Sequence, residues 1–230
     1  MKFYINIFKN YNFHYCALAL GKVGGIGIFV KIPYVCSEII SLKLPTSSDC
    51  PVESLWLEID SSTCKYIIGG IYRHPGHSIN TFCRELESSL ESVRRANIPC
   101  VIAGDFNIDL AKYNSNRDTN DYLNTVLLNN FMPMIILPTC ITKKSSTLID
   151  HIYYYEGSNN SEVHDIVSGN FWSDLTDHLP NYFLITSNRR SKKSECPLVR
   201  IFSERNVNDF KSRLSSVEWD HVYNCTDKVH

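Results

Sequence analysis

Pro99-Cys100-Val101-Ile102-Ala103-Gly104-Asp105-Phe106-Asn107 is the stretch whose reading decides the fold. A short apolar run closed by a turn signal reads as a buried strand. It releases an acid and an amide two positions apart. Side chains alternate across a strand, so Asp105 and Asn107 converge on one spot, provided the extended geometry persists that far, and Phe106 packs on the other side. A carboxylate beside an amide can hold a metal ion or a water against a phosphate. The same tetrapeptide also reads as ordinary turn chemistry.

Working outward, Tyr66 to Tyr72 is a more fully apolar run, hence a central strand, and it ends in the turn signal Arg73-His74-Pro75-Gly76. Glu53 to Ile59 alternates, as a half-buried strand does. Gly24 to Val30 begins with turn-permitting glycines and becomes a strand, with no helix signal behind it to make a phosphate-cradling loop. Between the strands, Ile79, Phe82, Cys83, Leu86, Leu90 and Val93 recur at helical spacing, capped by Ser78 and stopped by Asn97 and Pro99. A second helix opens at Asp118 or Thr119 and carries Tyr122, Leu123, Val126, Leu127 and Phe131. Thr147 to Tyr155 reads as a strand with Asp150 inside it, and His178 begins another, Leu179 to Ile185. Many strands in mixed order with two helices predict an α/β class, two packed sheets with helices outside. From Ser187 to Glu195 the composition turns to Ser, Arg and Lys, like a linker, and Asn206 to Val222 reads as an amphipathic helix capped by Asn206.

At 230 residues the chain suits one large domain with a tail. A net charge of -1 excludes a global basic field, so nucleic-acid binding would rest on a local patch. The pairs Arg94-Arg95 and Lys143-Lys144 read as solvated faces, and Arg189-Arg190 with Lys192-Lys193 as linker. Nine cysteines are scattered without a C-x-x-C pair, so zinc is not expected and a reducing, intracellular compartment is. No apolar run is long enough to span a bilayer.

Four places at strand ends or edges carry residues fit for chemistry: Tyr72, then Asp105 with Asn107, then Asp150, then Asp177 with His178. Such ends tend to converge on one edge of a sheet layer. Asp177 and His178 are adjacent and cannot share a strand face, so a more distant carboxylate must orient the imidazole. Asp150 is that candidate, because an unpaired acid within an apolar strand is costly. Each also has a plain reading: Tyr72 as a core tyrosine, Asp150 as a partner for neighbouring backbone, Thr176-Asp177-His178 as a strand-entry turn.

Taken together, Ile71-Tyr72, Gly104-Asp105-Phe106-Asn107, Thr147-Leu148-Ile149-Asp150-His151-Ile152 and Thr176-Asp177-His178-Leu179-Pro180 resemble the endonuclease/exonuclease/phosphatase family. Within it the chain is similar to the endonuclease domain of non-LTR retrotransposon polyproteins. The resemblance implies a four-layer α/β sandwich over residues 1–186, and over 187–230 a basic linker and connector helix toward a reverse transcriptase, of which no motif follows. It implies metal-dependent hydrolysis of a DNA phosphodiester with Mg²⁺ or Mn²⁺. Asp105 would position the attacking water, Asn107 would hold water or phosphate, and His178 would contact the phosphate with Asp150 orienting it. Asp177 would lie near the metal and Tyr72 near the phosphate or leaving oxygen.

The family pattern also has a first strand ending in Asn and a second ending in a metal-binding Glu. Here no Asp or Glu precedes Glu38, and Asn6 echoes the first-strand Asn only superficially. The expectation is therefore a domain with its first strands missing, weakened in metal binding and impaired in activity, nuclear if functional. The alternatives are a non-catalytic transposon remnant that binds DNA or a partner, and a small-molecule phosphatase of the same fold.

Overall fold

In the computed structural model, which describes residues 8–16, 24–46, 51–61, 64–157, 164–187 and 204–218, the run ending at Asp105 is a central strand. The chain divides into two units, Met1–Arg189 and Arg190–His230. The first begins with β1 (Tyr11–Cys16), β2 (Ile26–Lys31) and β3 (Val35–Glu38), then the long strands β4 (Val52–Asp60) and β5 (Lys65–Arg73). Helix α1 (Ile79–Ala96) leads to β6 (Cys100–Asp105), and α2 (Arg117–Leu128) to the short β7 (Met132–Pro133), β8 (Cys140–Ile141) and β9 (Ser146–Thr147). Strands β10 (Asp150–Tyr155), β11 (His164–Asn170) and β12 (Asn181–Ser187) complete it.

One six-stranded sheet has the order β3-β4-β5-β6-β10-β7, and two-stranded ribbons form from β1-β2, β11-β12 and β8-β9. Only β5 and β6 run parallel among the six-stranded pairings, joined by the α1 crossover. The helices cover one face. Phe82, Leu86, Leu90 and Val93 of α1 and Tyr122 and Val126 of α2 are buried against Trp56, Ile71 and Ile102 of the sheet. On the other face Val30 of β2 packs with Leu55 and Leu57, and Phe183 of β12 lies 5.2 Å from Tyr154. Helices, central sheet and opposing ribbons make the expected α/β sandwich, but among the described residues the second packed sheet is present only as two-stranded ribbons and the helices α1 and α2 cover one face.

Local chemistry explains the boundaries. Ser78 caps α1 by accepting from the Thr81 N–H, and Asn97 closes it in the left-handed conformation at φ 56°. Helix α2 starts a residue earlier than the apolar spacing suggested, because Asn116 supplies the cap, accepting from the Thr119 N–H. The strand expected from Thr147 to Tyr155 is two strands with a break at Leu148-Ile149. There the Leu148 N–H donates to Asp109 Oδ1 and the Ile149 and Asp150 N–H groups to Thr139 Oγ1. Asp150 therefore opens β10 and is not enclosed within a strand. Likewise His178 does not begin a strand. It makes an isolated bridge with Cys140, and β12 starts at Asn181.

In the second unit, α3 spans Glu204–Ser215, so Asn206 lies inside the helix and does not cap it. Its Phe210 is exposed. Asn6, residues 188–195 and residues 219–222 lie outside the described residues.

Candidate active site

Register places the site. Glu53 of β4 pairs with Tyr72 of β5, Tyr72 with Asp105 of β6, and Asp105 with Asp150 of β10. Register partners share a face, so four polar side chains form a lateral row along the end of four adjacent strands. The row faces the ribbons, on the same side as Leu55, Leu57 and Tyr154. His151, one residue past Asp150, faces the helices instead.

The imidazole of His178 closes the row. Its Nδ1 lies 3.1 and 3.0 Å from the two carboxylate oxygens of Asp150. Asp105, Asp150 and His178 each bring a ligand atom within 4.8 Å of the others. Burial works against charge on His178, but the hydrogen bond and charge of Asp150, with Asp105 and Asp177 behind it, outweigh burial and raise its pKa. Burial raises the pKa of Asp105. The Asn107 N–H opposes that rise and Asp150 adds to it. Tyr72 is raised too, by burial and by the charges of Asp105 and Glu53.

Asp105 and Asn107 do not converge as alternation predicts. The strand ends at Asp105, and Asn107 is left-handed at φ 49°. The two residues instead form a turn in which the Asn107 N–H donates to Asp105 Oδ1 at 3.0 Å. The Asn107 amide donates to the carbonyl of Arg73 at 2.8 Å. Asp177, the residue expected near the metal, is exposed and clusters with Cys140 and His178, while Asp105 and Asp150 form a second group with the same His178.

Three residues were missed in the sequence. Arg73, read there as part of a turn, is a buried guanidinium that donates to the carbonyls of Phe106, Asn107, His74 and His77 at 2.8 to 3.2 Å. It fixes the acid-amide turn to the end of β5 and is a positioning residue. Glu53 is buried within 3.7 Å of His74 Nε2, and His74 lies 4.7 Å from the Tyr72 ring. A Cβ on Gly24 would crowd both Glu53 oxygens at 3.0 Å and Tyr72 at 3.2 Å, and its φ of +156° is one that L side chains rarely adopt. Alternation already put Glu53 on the face of Leu55 and Leu57, which was the available signal. The third is Thr139, fully buried, whose hydroxyl takes the two N–H groups that set Asp150 at the strand start.

The donor set suits a divalent cation. Two carboxylates with an imidazole favour a hard, oxygen-seeking ion, and Asp105 and Asp150 are the residues that would hold it. One of them, Asp150, is already committed to His178, which lowers what it can offer.

A family model described as Endonuclease-reverse transcriptase matches residues 66–181. No curated protein matches the chain. Among solved structures, the endonuclease domain of TRAS1, a telomere-specific non-LTR retrotransposon, is similar at TM-score 0.54 and 12% identity, covering 75% of this chain and 78% of that one. A humanised D. rerio TDP2 matches at TM-score 0.58 and 12% identity over 81% and 80%. An endonuclease/exonuclease/phosphatase from Bacteroides vulgatus matches at 0.51 and 14% over 78% and 77%. Identities this low speak for the fold alone, and the fold they share is the one built above.

Proposed function

We propose a function from one premise: the chain belongs to the endonuclease-reverse transcriptase family, on the endonuclease/exonuclease/phosphatase fold. The proposed reaction is divalent-cation-dependent hydrolysis of a phosphodiester in a DNA strand. The observation that carries it is the Asp150–His178 pair set against Asp105 at the end of one row. DNA as the substrate is supported by neighbours, among them D. rerio TDP2 complexed with a single-strand DNA product.

Asp150 accepts the Nδ1 proton of His178 and so fixes which nitrogen faces the substrate. With its pKa raised, His178 stays protonated to higher pH and donates to a phosphate oxygen. Asp105, also raised, accepts the proton of the attacking water as the new P–O bond forms. The Tyr72 phenol, which keeps its proton, donates to the phosphate or the leaving oxygen as the old P–O bond breaks. Asn107 holds the turn that aims Asp105. A bound Mg²⁺ or Mn²⁺ supplies neutralisation of charge developing on the phosphate. Asp177, at the exposed margin beside His178, is proposed as an outer contact to that ion. Turnover is proposed to be impaired, because the first-strand Asn and the metal-binding Glu of the family pattern were not found in the sequence, and among the described residues the inner group has two carboxylates, one of them shared with His178.

A second reading is a domain that binds DNA without cutting it. The same two observations favour it, together with the Asn107 amide being committed to Arg73. Nicking of supercoiled plasmid with Mg²⁺ decides between them. Slow nicking that disappears in Asp105→Ala supports hydrolysis. DNA binding without nicking, under Mg²⁺ and Mn²⁺ alike, rejects it. Residues 187–230 are proposed as a connector toward a polymerase.

A further inference from the structure

Outside the row, Cys140 sets a buried thiol beside two groups that can bind a metal. It is 8% exposed, and its Sγ lies 3.9 Å from Asp177 Oδ2. Sγ, an Asp177 oxygen and a His178 ring nitrogen all stand within 4.8 Å of one another. We propose that Cys140, Asp177 and His178 form a site for a thiophilic divalent cation, zinc above all, distinct in chemistry from the oxygen-rich group of Asp105 and Asp150.

Three features support this. The ligands are held by backbone pairing and not by loops free to drift apart. The Ile141 N–H donates to the Asp177 carbonyl at 2.8 Å, the Leu179 N–H donates to the Thr139 carbonyl at 2.7 Å, and Cys140 bridges His178 between them. The spacing also suits the ion. Zinc holds sulfur at about 2.3 Å and nitrogen or oxygen at about 2.0 Å, so a tetrahedral sulfur stands roughly 3.5 Å from its neighbouring ligand atoms. The Cys140 Sγ–Asp177 Oδ2 separation is 3.9 Å, and the His178 nitrogen lies within 4.8 Å of both. Finally, Asp150 lies against His178 Nδ1, the carboxylate–imidazole arrangement that orients a metal-binding histidine. Thiolate, imidazole and one carboxylate make a borderline-soft set that favours zinc over magnesium. On binding, the Cys140 thiol proton passes to solvent and the fourth coordination position remains open to water. The absence of a C-x-x-C pair speaks against a zinc site built from adjacent thiols, but this site uses one thiol and draws its other ligands from a distant segment.

One consequence rests on the proposed function: a cation here engages His178 and so inhibits phosphodiester hydrolysis. The binding itself rests on geometry alone, and its test needs no hydrolysis. The intact reduced chain is titrated with Cd²⁺, read by the ultraviolet thiolate-to-cadmium charge-transfer band, and with Zn²⁺ against a chromophoric chelator. The expected result is one equivalent bound through a thiolate. In Cys140→Ser that band is lost and zinc binds at least about 100-fold more weakly, while Asp150→Asn, which removes the orienting carboxylate, weakens zinc about tenfold. Cys83→Ser, at a buried thiol of α1, leaves the titration unchanged. If Cys140→Ser does not fold, Asp177→Asn at an exposed position reads the same site, with zinc weakened and the band kept. Equal titrations of the parent chain and Cys140→Ser, or of the parent and Asp177→Asn, overturn the proposal. A chain that hydrolyses nothing with any cation counts against the function, and the titration still decides the site.

Discussion

His151 and His178 are the same side chain in opposite settings, on the two sides of strand β10. His151 faces the helices, fully buried. Its Nδ1 lies 3.0 Å from the Tyr122 hydroxyl and 3.2 Å from that of Tyr153, its Nε2 lies 3.1 Å from the Leu148 carbonyl, and Phe106 stacks on it at 4.9 Å. Burial lowers its pKa to about 4, so at neutral pH it is an uncharged piece of the core. His178 is partly exposed and is surrounded by Asp150, Asp105 and Asp177, which raise its pKa. Adjacent residues on one strand, Asp150 and His151, thus build a charged edge and a neutral core. The comparison teaches that carboxylate company, not the presence of histidine, separates an imidazole that favours its proton from one kept neutral in the core.

The largest effect expected from breaking this contrast is in His178→Ala. Plasmid nicking should fall about 10³-fold, roughly 4 kcal/mol, with the melting temperature almost unchanged. His151→Ala should do the reverse. It removes the imidazole nitrogen that two buried tyrosine hydroxyls share and opens a cavity, so denaturant unfolding should show a loss of about 3 kcal/mol, while the folded fraction keeps its rate.

A smaller effect is the pH dependence of stability. The pKa of His151 is lower in the folded chain than its ordinary value of 6.5, so the unfolded chain takes up the proton first. Stability therefore falls as pH drops through the window from 6.5 to about 4. The loss should reach about 2 kcal/mol by pH 5 in urea titrations and should shrink in His151→Gln. The smallest effect expected is in Arg73→Lys. An ammonium cannot span all four carbonyls, so the acid-amide turn should loosen, and kcat should fall about tenfold with KM little changed.

Much of the architecture was legible in the sequence because it depends on periodicity. Alternation along Glu53 to Ile59, the apolar run Tyr66 to Tyr72 and the helical spacing of Ile79 to Val93 are local signals, and each became the element it implied, although the first strand is buried on both faces and not half-buried. The partnership of Asp150 with His178 was legible too, since an adjacent Asp177 could not serve. What was not legible depended on contacts between distant segments. Thr139 and Asp109 draw backbone N–H groups out of the sheet ladder and break the strand at Leu148-Ile149. The pairing of Cys140 with His178 holds the histidine in a bridge where a strand start was expected. Arg73 was hidden because a buried guanidinium that donates to carbonyls of distant residues leaves no pattern in its own neighbourhood. Asn107 was misplaced because one left-handed residue ends the alternation from which its direction was read.

The difference between the two histidines can be measured directly by following imidazole proton resonances against pH in the folded chain, assigned with His151→Gln and His178→Gln. His178 should titrate above the ordinary imidazole range and move down in Asp150→Asn, while His151 should remain uncharged until about pH 4. Two histidines that titrate together, or a His178 indifferent to Asp150→Asn, would contradict the assignment of the reactive edge to the Asp150–His178 pair.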